Sequence, residues 1–272
     1  MIAQGKIRFG GLTKYWAIFQ TQMTNKFAYP IDLLSRSLMI VMFMWIFAQL
    51  WQTTFKAGGS AVIAGYSLQN TMWYLLFAET IVLSQPALAT TISQQIKDGS
   101  IAYLLGKPYN FILYQISFGL GDSVLQIASN LLAGGMVVWG LVGPPPGFNG
   151  WMLGLLSMSL GVLINLTINI FIGLLAFYTE DVTAFQWIYN KFVLILGGIL
   201  IPIDFFPNWL KQIALLLPFS YTTYGPAKLF ISPQTDLFVW VTSRQLIWIG
   251  LLAALVIYIY YKGSQRLVIN GG

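Results

Sequence analysis

The sequence predicts an all-α integral membrane protein, one transmembrane domain over residues 1–272 with six spanning helices. Three observations predict it. Only 8% of the 272 residues are charged and 57% are apolar, whereas a soluble domain needs roughly 25% charged residues to clothe its surface. Six apolar runs reach, or nearly reach, the twenty or so residues that cross about 30 Å of hydrocarbon at about 1.5 Å per residue. No repeat and no low-complexity linker divides the chain. In lipid each backbone N–H must be satisfied within its own segment, so apolar runs of this length are helices.

The polar start, Met1–Arg8, precedes the first long apolar run without a small-residue cleavage site, which reads as a retained span and not a removed signal peptide. Next comes an interfacial helix over 9–29: Leu12, Trp16, Phe19, Met23 and Phe27 recur at helical spacing opposite Lys14, Thr21 and Asn25. It is best placed flat at the cytoplasmic surface with its aromatics in the headgroup layer; the alternative is a soluble helix packed on a partner. The spans follow at about 31–51, 67–91, 111–141, 151–178, 182–203 and 244–261, the fifth interrupted by Asn190 and Lys191. Gly143-Pro144-Pro145-Pro146-Gly147 cannot continue a helix and turns the chain between spans three and four.

An even number of spans puts both termini on one side. Cytoplasmic termini give the cytoplasm Lys6, Arg8, Lys14, Lys26, Lys97, Lys107, Lys191, Lys262 and Arg266, and the outside Lys56, Lys211, Lys228 and Arg244, with Arg36 inside the first span. Positive charge is retained on the cytoplasmic side, so this orientation is preferred. The same rule accounts for the net charge of +6 without nucleic acid, since no basic block exists. Cysteine and histidine are both absent, which excludes disulfides, thiolate nucleophiles, imidazole bases and the usual zinc ligands.

Two connecting segments are informative. In the cytoplasmic one, Ile92 to Pro108, Gly99 can end a helix in the left-handed conformation, Ser100 can cap the next, and Pro108 follows a second glycine stop. Two short helices result, suited to transmit a partner's motion; the alternative is an ordinary loop. Gly106-Lys107 lacks the glycine spacing and the following Ser or Thr of a phosphate loop, so ATP hydrolysis would come from another chain. The second segment, Leu196 to Pro226, joins spans five and six. Pro207 can open a helix and Pro218 end it, giving two apolar helices too short to span. A re-entrant hairpin in the outer leaflet fits them, and such backbone marks a pathway or gate.

These residues resemble a known family. Gly198-x-x-x-Pro202, Phe206-Pro207, Trp209-Leu210, Pro218-Phe219 and Tyr221, just before the last span, look like the extracellular hairpin of the ABC type-two exporter permeases (ABC-2 family). Ile96–Pro108 looks like the coupling-helix loop between their second and third spans, and the order of elements matches over nearly the whole chain. The resemblance implies a non-catalytic half-transporter in a bacterial cytoplasmic membrane, driven by a cytoplasmic ATP-binding cassette ATPase. A second permease, identical or related, and membrane lipid are the other partners; the chain itself carries no cofactor, ATP and magnesium belonging to the ATPase. Gln95, Ile96, Lys97, Asp98, Gly99 and Ser100 would match the coupling position, with Glu180 and Asp181 near a second cytoplasmic contact. Phe205, Phe206, Pro207, Pro218 and Phe219 would match the extracellular hairpin.

Inside the membrane, Glu79 and Asp122 fall near mid-depth with no obvious cation at their level. A charge there costs about 2.5 kcal/mol or more, so each is protonated, hydrogen-bonded across helices or turned toward water. They line the transport route or act as interhelical glue. Ser157, Gly161, Asn165, Asn169 and Gly173 recur every four residues in span four; Asn165 and Asn169 are candidates for the route, while close helix packing is the bland reading. Two functions remain: an ATP-driven exporter of an amphipathic or hydrophobic cargo (a lipid, glycan carrier or drug), or a proton-coupled secondary transporter using Glu79 and Asp122. The missing inverted repeat counts against the second.

Overall fold

A computed structural model describes residues 11–59 and 61–270. Lys6 and Arg8 lie outside the described residues, as does the side chain of Arg266. Helix α1 spans Leu12–Phe27 and α2 Pro30–Gly58. Pro30 at the first position of α2 forces Tyr29 out of helical backbone, so α1 cannot run on into α2. Gly59, at φ +61°, ends α2. A small hairpin follows, unmarked by the sequence reading: β1 (Val62–Ile63) pairs antiparallel with β2 (Tyr66–Ser67) across Ala64-Gly65, both at positive φ. Alanine at a left-handed position conceals this turn from a search for Asn-Gly. Ser67 Oγ then accepts from Asn70 N at 3.1 Å and caps α3, Leu68–Leu83.

After an interruption at Ser84–Ala87 come α4 (Leu88–Lys97) and α5 (Ile101–Leu105), then α6 (Phe111–Val142), capped by Asn110 Oδ1 accepting from Ile112 N and Leu113 N. The Gly143–Gly147 turn, with Gly143 at φ +103°, separates α6 from α7, Phe148–Leu174, which a 3₁₀ turn extends to Phe177. Helix α8 spans Thr183–Leu196, and a 3₁₀ turn at Ile203–Phe205 leads into α9 (Asn208–Leu216), α10 (Pro218–Thr222), α11 (Tyr224–Ile231) and α12 (Thr235–Asn270).

Among the described residues five helical stretches are long and apolar enough to cross a membrane: Pro30–Gly58, Leu68–Lys97, Phe111–Val142, Phe148–Phe177 and Thr235–Gln265. The all-α membrane fold is therefore established. The segment expected to span over 182–203 differs: α8 has 14 residues, about 21 Å of rise. It ends because Gly197 and Gly198, the latter at φ +72°, and then Pro202 cannot continue it. The second span, expected over 67–91, runs on to Lys97 and is broken at Pro86; the last, expected from 244, begins nine residues earlier at Thr235.

The centre is built from α3 and α7. In each of their two spans 67% of the most apolar window is buried, against 28% for α2 and for α6 and 17% for α12. Glycines let neighbours approach α7 closely: Gly150 lies against Phe230 O, Gly161 against Thr222 O, and Gly173 against Ala89 O and Ile92. Within the every-four row, Gly161 meets α10 and Gly173 meets α4, on faces about 120° apart as three steps of about 40° require. These contacts also trace direction, since α7 starts beside Phe230 and ends beside α4, and α12 runs parallel to it, Gln245 meeting Ser157 and Gly263 meeting Phe177.

Candidate functional site

Two regions lie at opposite ends of the α3–α4 stretch. At the Lys97 end, α4 buries Leu88, Ala89, Ile92, Ser93 and Ile96 and leaves Thr91, Gln94 and Lys97 exposed. Gly99 takes the left-handed conformation at φ +76°, ending the α4 turn as its sequence suggests. Ser100 does not cap α5 with its side chain; instead Asp98 Oδ1 accepts from Ser100 N at 2.9 Å. Ile101 is fully buried and anchors α5, while Tyr103 is exposed under the ammonium of Lys107. Gln95 accepts from Gln115 Nε2 of α6 at 3.3 Å.

The segment after α7 joins this surface. Glu180 and Asp181 are exposed, Val182 is buried with Ala89 in one apolar cluster, and Lys97 acts electrostatically on Asp181. Asp181 Oδ1 accepts from Thr183 N at 2.9 Å and Thr183 Oγ1 at 2.7 Å, starting α8. Hydrogen bonds from Ser100 hold the Asp98 carboxyl below its ordinary range, and those from Thr183 do the same for Asp181. The structure thus brings the residues from Gln95 to Ser100 together with Asp181 at one end of the helices.

At the other end Asp204 organises the segment between α8 and α12. Its Oδ1 accepts from Lys211 Nζ at 2.8 Å, and its Oδ2 from Lys228 Nζ at 2.8 Å, Tyr66 OH at 2.6 Å and Tyr224 OH at 3.1 Å. Burial pushes this carboxyl up, but the hydrogen bonds from Lys211, Lys228 and Tyr66 outweigh it and hold the group well below the carboxylate range. Burial drives the Tyr66 and Tyr224 phenols up, so both stay neutral donors. Sequence reasoning missed Asp204 and counted Lys211 and Lys228 as charges on the unfavourable side. The available signal was an acid between Ile203 and Phe205, in an otherwise apolar stretch with two nearby lysines.

Around that cluster Phe205 packs on Trp51 and Tyr66 at ring distances of 5.5 and 5.4 Å, and Phe206 joins the same core. Pro207 precedes α9, which ends before Pro218 as expected, while Pro218 opens α10, so that with α11 the segment holds three short helices where two were expected. Phe219 stacks on Phe192 of α8 at 5.4 Å. Deeper in, Tyr74 OH donates to Gly198 O at 2.7 Å and Thr223 Oγ1 to Gly197 O at 2.6 Å, tying the end of α8 to α3 and to the residue between α10 and α11.

The intramembrane candidates do not form one site. Glu79 is 5% exposed on α3, with no hydrogen bond or ion pair among the described residues. Asp122 corrects the expectation of an acid without a cation: Lys26 Nζ of α1 lies 3.1 Å away and Gln22 Nε2 donates to it at 3.3 Å. Lys26 also faces Asp32, which pairs with Arg36. This is possible because α1 packs beside the first half of α6, from Lys14 on Pro108 O to Lys26 on Asp122, leaving Leu12, Trp16 and Phe27 exposed. Asn165 and Asn169 are buried, Asn169 Nδ2 donating to Asn165 O at 2.9 Å and Oδ1 at 2.7 Å.

Residues 39–271 match the family described as ABC-2 family transporter protein, leaving α1 and the start of α2 outside the matched stretch. No curated protein matches the chain. With most of its length covered, the chain belongs to the ABC-2 transporter family: a multi-pass membrane permease of an ABC transporter, of a generally non-catalytic kind that implies an ATP-binding cassette partner.

Proposed function

We propose that the protein is the permease half of an ATP-driven exporter, in which a separate cytoplasmic ATPase grips the surface formed by residues 95–100 and 180–181. The observation that carries this is the attachment of that surface to the core. Helix α4 buries one face against α7 and presents its free end beside Asp181, so a push on the loop is delivered to packed helices and not to slack chain. ATP and magnesium reside on the ATPase. A second permease, identical or related, completes the translocation pathway, and the cargo is amphipathic or hydrophobic, taken from the membrane and moved outward.

Five stretches among the described residues are long and apolar enough to cross, and a sixth crossing, made by α8 and the chain that follows it, is part of the proposal. Helix α8 starts beside Lys97, and its continuation arrives at Asp204 beside Tyr66, the two ends of the α3–α4 span. On this reading it covers the same depth with a short helix and an extended tail, and an even number of crossings with cytoplasmic termini is part of the proposal. The re-entrant character of the next segment rests on its contacts: from Asp204 the chain returns to Gly161 at Thr222, about 20 Å of helix in from Phe148, and comes back to Gly150 at Phe230. Proton coupling through Glu79 and Asp122 is disfavoured by the Lys26–Asp122 pair and by the distinct surroundings of the two acids.

Co-purification with a cytoplasmic ATPase is the expected outcome of affinity capture in the native membrane. Membranes carrying this chain alone should show no cargo-stimulated ATP hydrolysis until that ATPase is added. Transport by the reconstituted single chain under a proton gradient, without ATP, would overturn the reading.

A further inference from the structure

The interruption between α3 and α4 falls near the middle of the Leu68–Lys97 stretch. Ser84 N still reaches Thr80 O at 3.1 Å, but Pro86 brings no N–H, Gln85 N reaches Val82 O at 3.2 Å, and Leu88 N reaches Pro86 O at 2.8 Å, so the regular ladder lapses after Ser84. At membrane depth such backbone persists only where protein polar groups or water cover it. Polar side chains gather at this level: Asn130 Nδ2 donates to Ser84 Oγ at 3.1 Å, and Gln126 Nε2 to Asn130 Oδ1 at 3.0 Å.

Between the break, α6 and α7 lies a cavity of about 10 Å³ lined by Ser84, Gln85, Pro86, Ser123 and Asn165 among apolar side chains. Asn165 is 2% exposed and its Nδ2 has no partner. Two further buried atoms on the same helices, Thr80 Oγ1 and Gln126 Oε1, are also without partners.

We propose that this cavity binds one ordered water, making the break a hydrated hinge about which α4 and its loop move against α3. The chemistry selects the occupant. An unpaired amide donor asks for an acceptor, which a metal cation cannot be, and the volume is on the order of one water. The two sides of the break differ in the way a hinge needs: every residue from Thr71 to Ile81 is buried and Tyr74 is bonded to Gly198 O, while α4 is buried on one face only. The hinge part rests on the proposed coupling role; the water part stands without it.

Amide hydrogen exchange on the chain in lipid nanodiscs tests the water part with no ATPase present. Residues 85 and 87–89 should exchange on the order of 100-fold faster than residues 75–78. Asn165→Leu, which fills the cavity and removes the unpaired donor, should slow the break about tenfold and leave residues 75–78 unchanged. If that variant does not fold, Ser123→Val offers the same readout from the α6 wall. Equal exchange in the two stretches, or no response to either variant, overturns the proposal. For the hinge, Val62→Cys and Gln94→Cys carry labels in a chain without native cysteine, and their separation should change when ATP is added to the permease–ATPase complex. A fixed separation overturns the hinge, whereas failure to bind any ATPase overturns the permease reading and leaves the exchange result standing.

Discussion

At one end of the α3–α4 stretch Asp204 draws its partners from β2, α9 and α11, whereas at the Lys97 end Asp98 and Asp181 each accept from a residue two positions further on. The first arrangement exists only once three elements have docked; the second forms wherever the local chain forms. The contrast teaches how one acidic residue can lock an end shut or leave it available. Around Asp204 the charges are spent on each other in a part-buried cluster, whereas at the loops Lys97, Asp98, Glu180 and Asp181 remain exposed.

The largest test of the contrast is Asp204→Ala. It strands two part-buried lysines and should cost about 3 kcal/mol, read by equilibrium unfolding in detergent; a loss too small to resolve would mean the Asp204 cluster is not a lock. Next comes Gly161→Val, whose Cβ would run into Thr222 O. Overpacking there should cost about 1–3 kcal/mol and loosen α10 from α7, visible as faster proteolysis between residues 204 and 223; unchanged cleavage would show that the contact yields freely.

Acid should separate the two ends further. The Asp204 carboxyl is depressed in the folded protein, so its contribution is fully present above the unfolded value of about 3.9 and is lost as pH falls toward the folded one. Stability should thus be level from neutral pH to about 5 and decline below about 4, with Asp204→Asn lacking that decline. A decline of the same size in the variant would assign it to other carboxylates. The smallest effect on stability belongs to Asp98→Ala, an exposed group whose loss should leave unfolding unchanged while weakening capture of the ATPase. Undiminished capture would move the docking surface elsewhere.

Sequence reading located the helices that packing later ordered. The Gly143–Gly147 turn, the left-handed Gly99 and the short helices after Pro207 and Pro218 were legible, because each depends on backbone restrictions of the residues themselves. The length of α8 was misjudged because its apolar run continues through Gly197 and Gly198, and hydropathy does not register where a helix stops. The partner of Asp122 was invisible because it lies about a hundred residues away, on a helix expected to lie flat at the surface.

Composition and hydrophobic run length by themselves determined that this is a helical membrane protein, since the cost of burying backbone and charge in hydrocarbon acts on each segment separately. The packing of the helices decided the rest. Which acids would be paired, which glycines would carry a neighbour's backbone and where the α3–α4 span would break among polar side chains are properties of several helices at once. Contacts between distant segments have no local signature, so those features became visible only when the chain was folded.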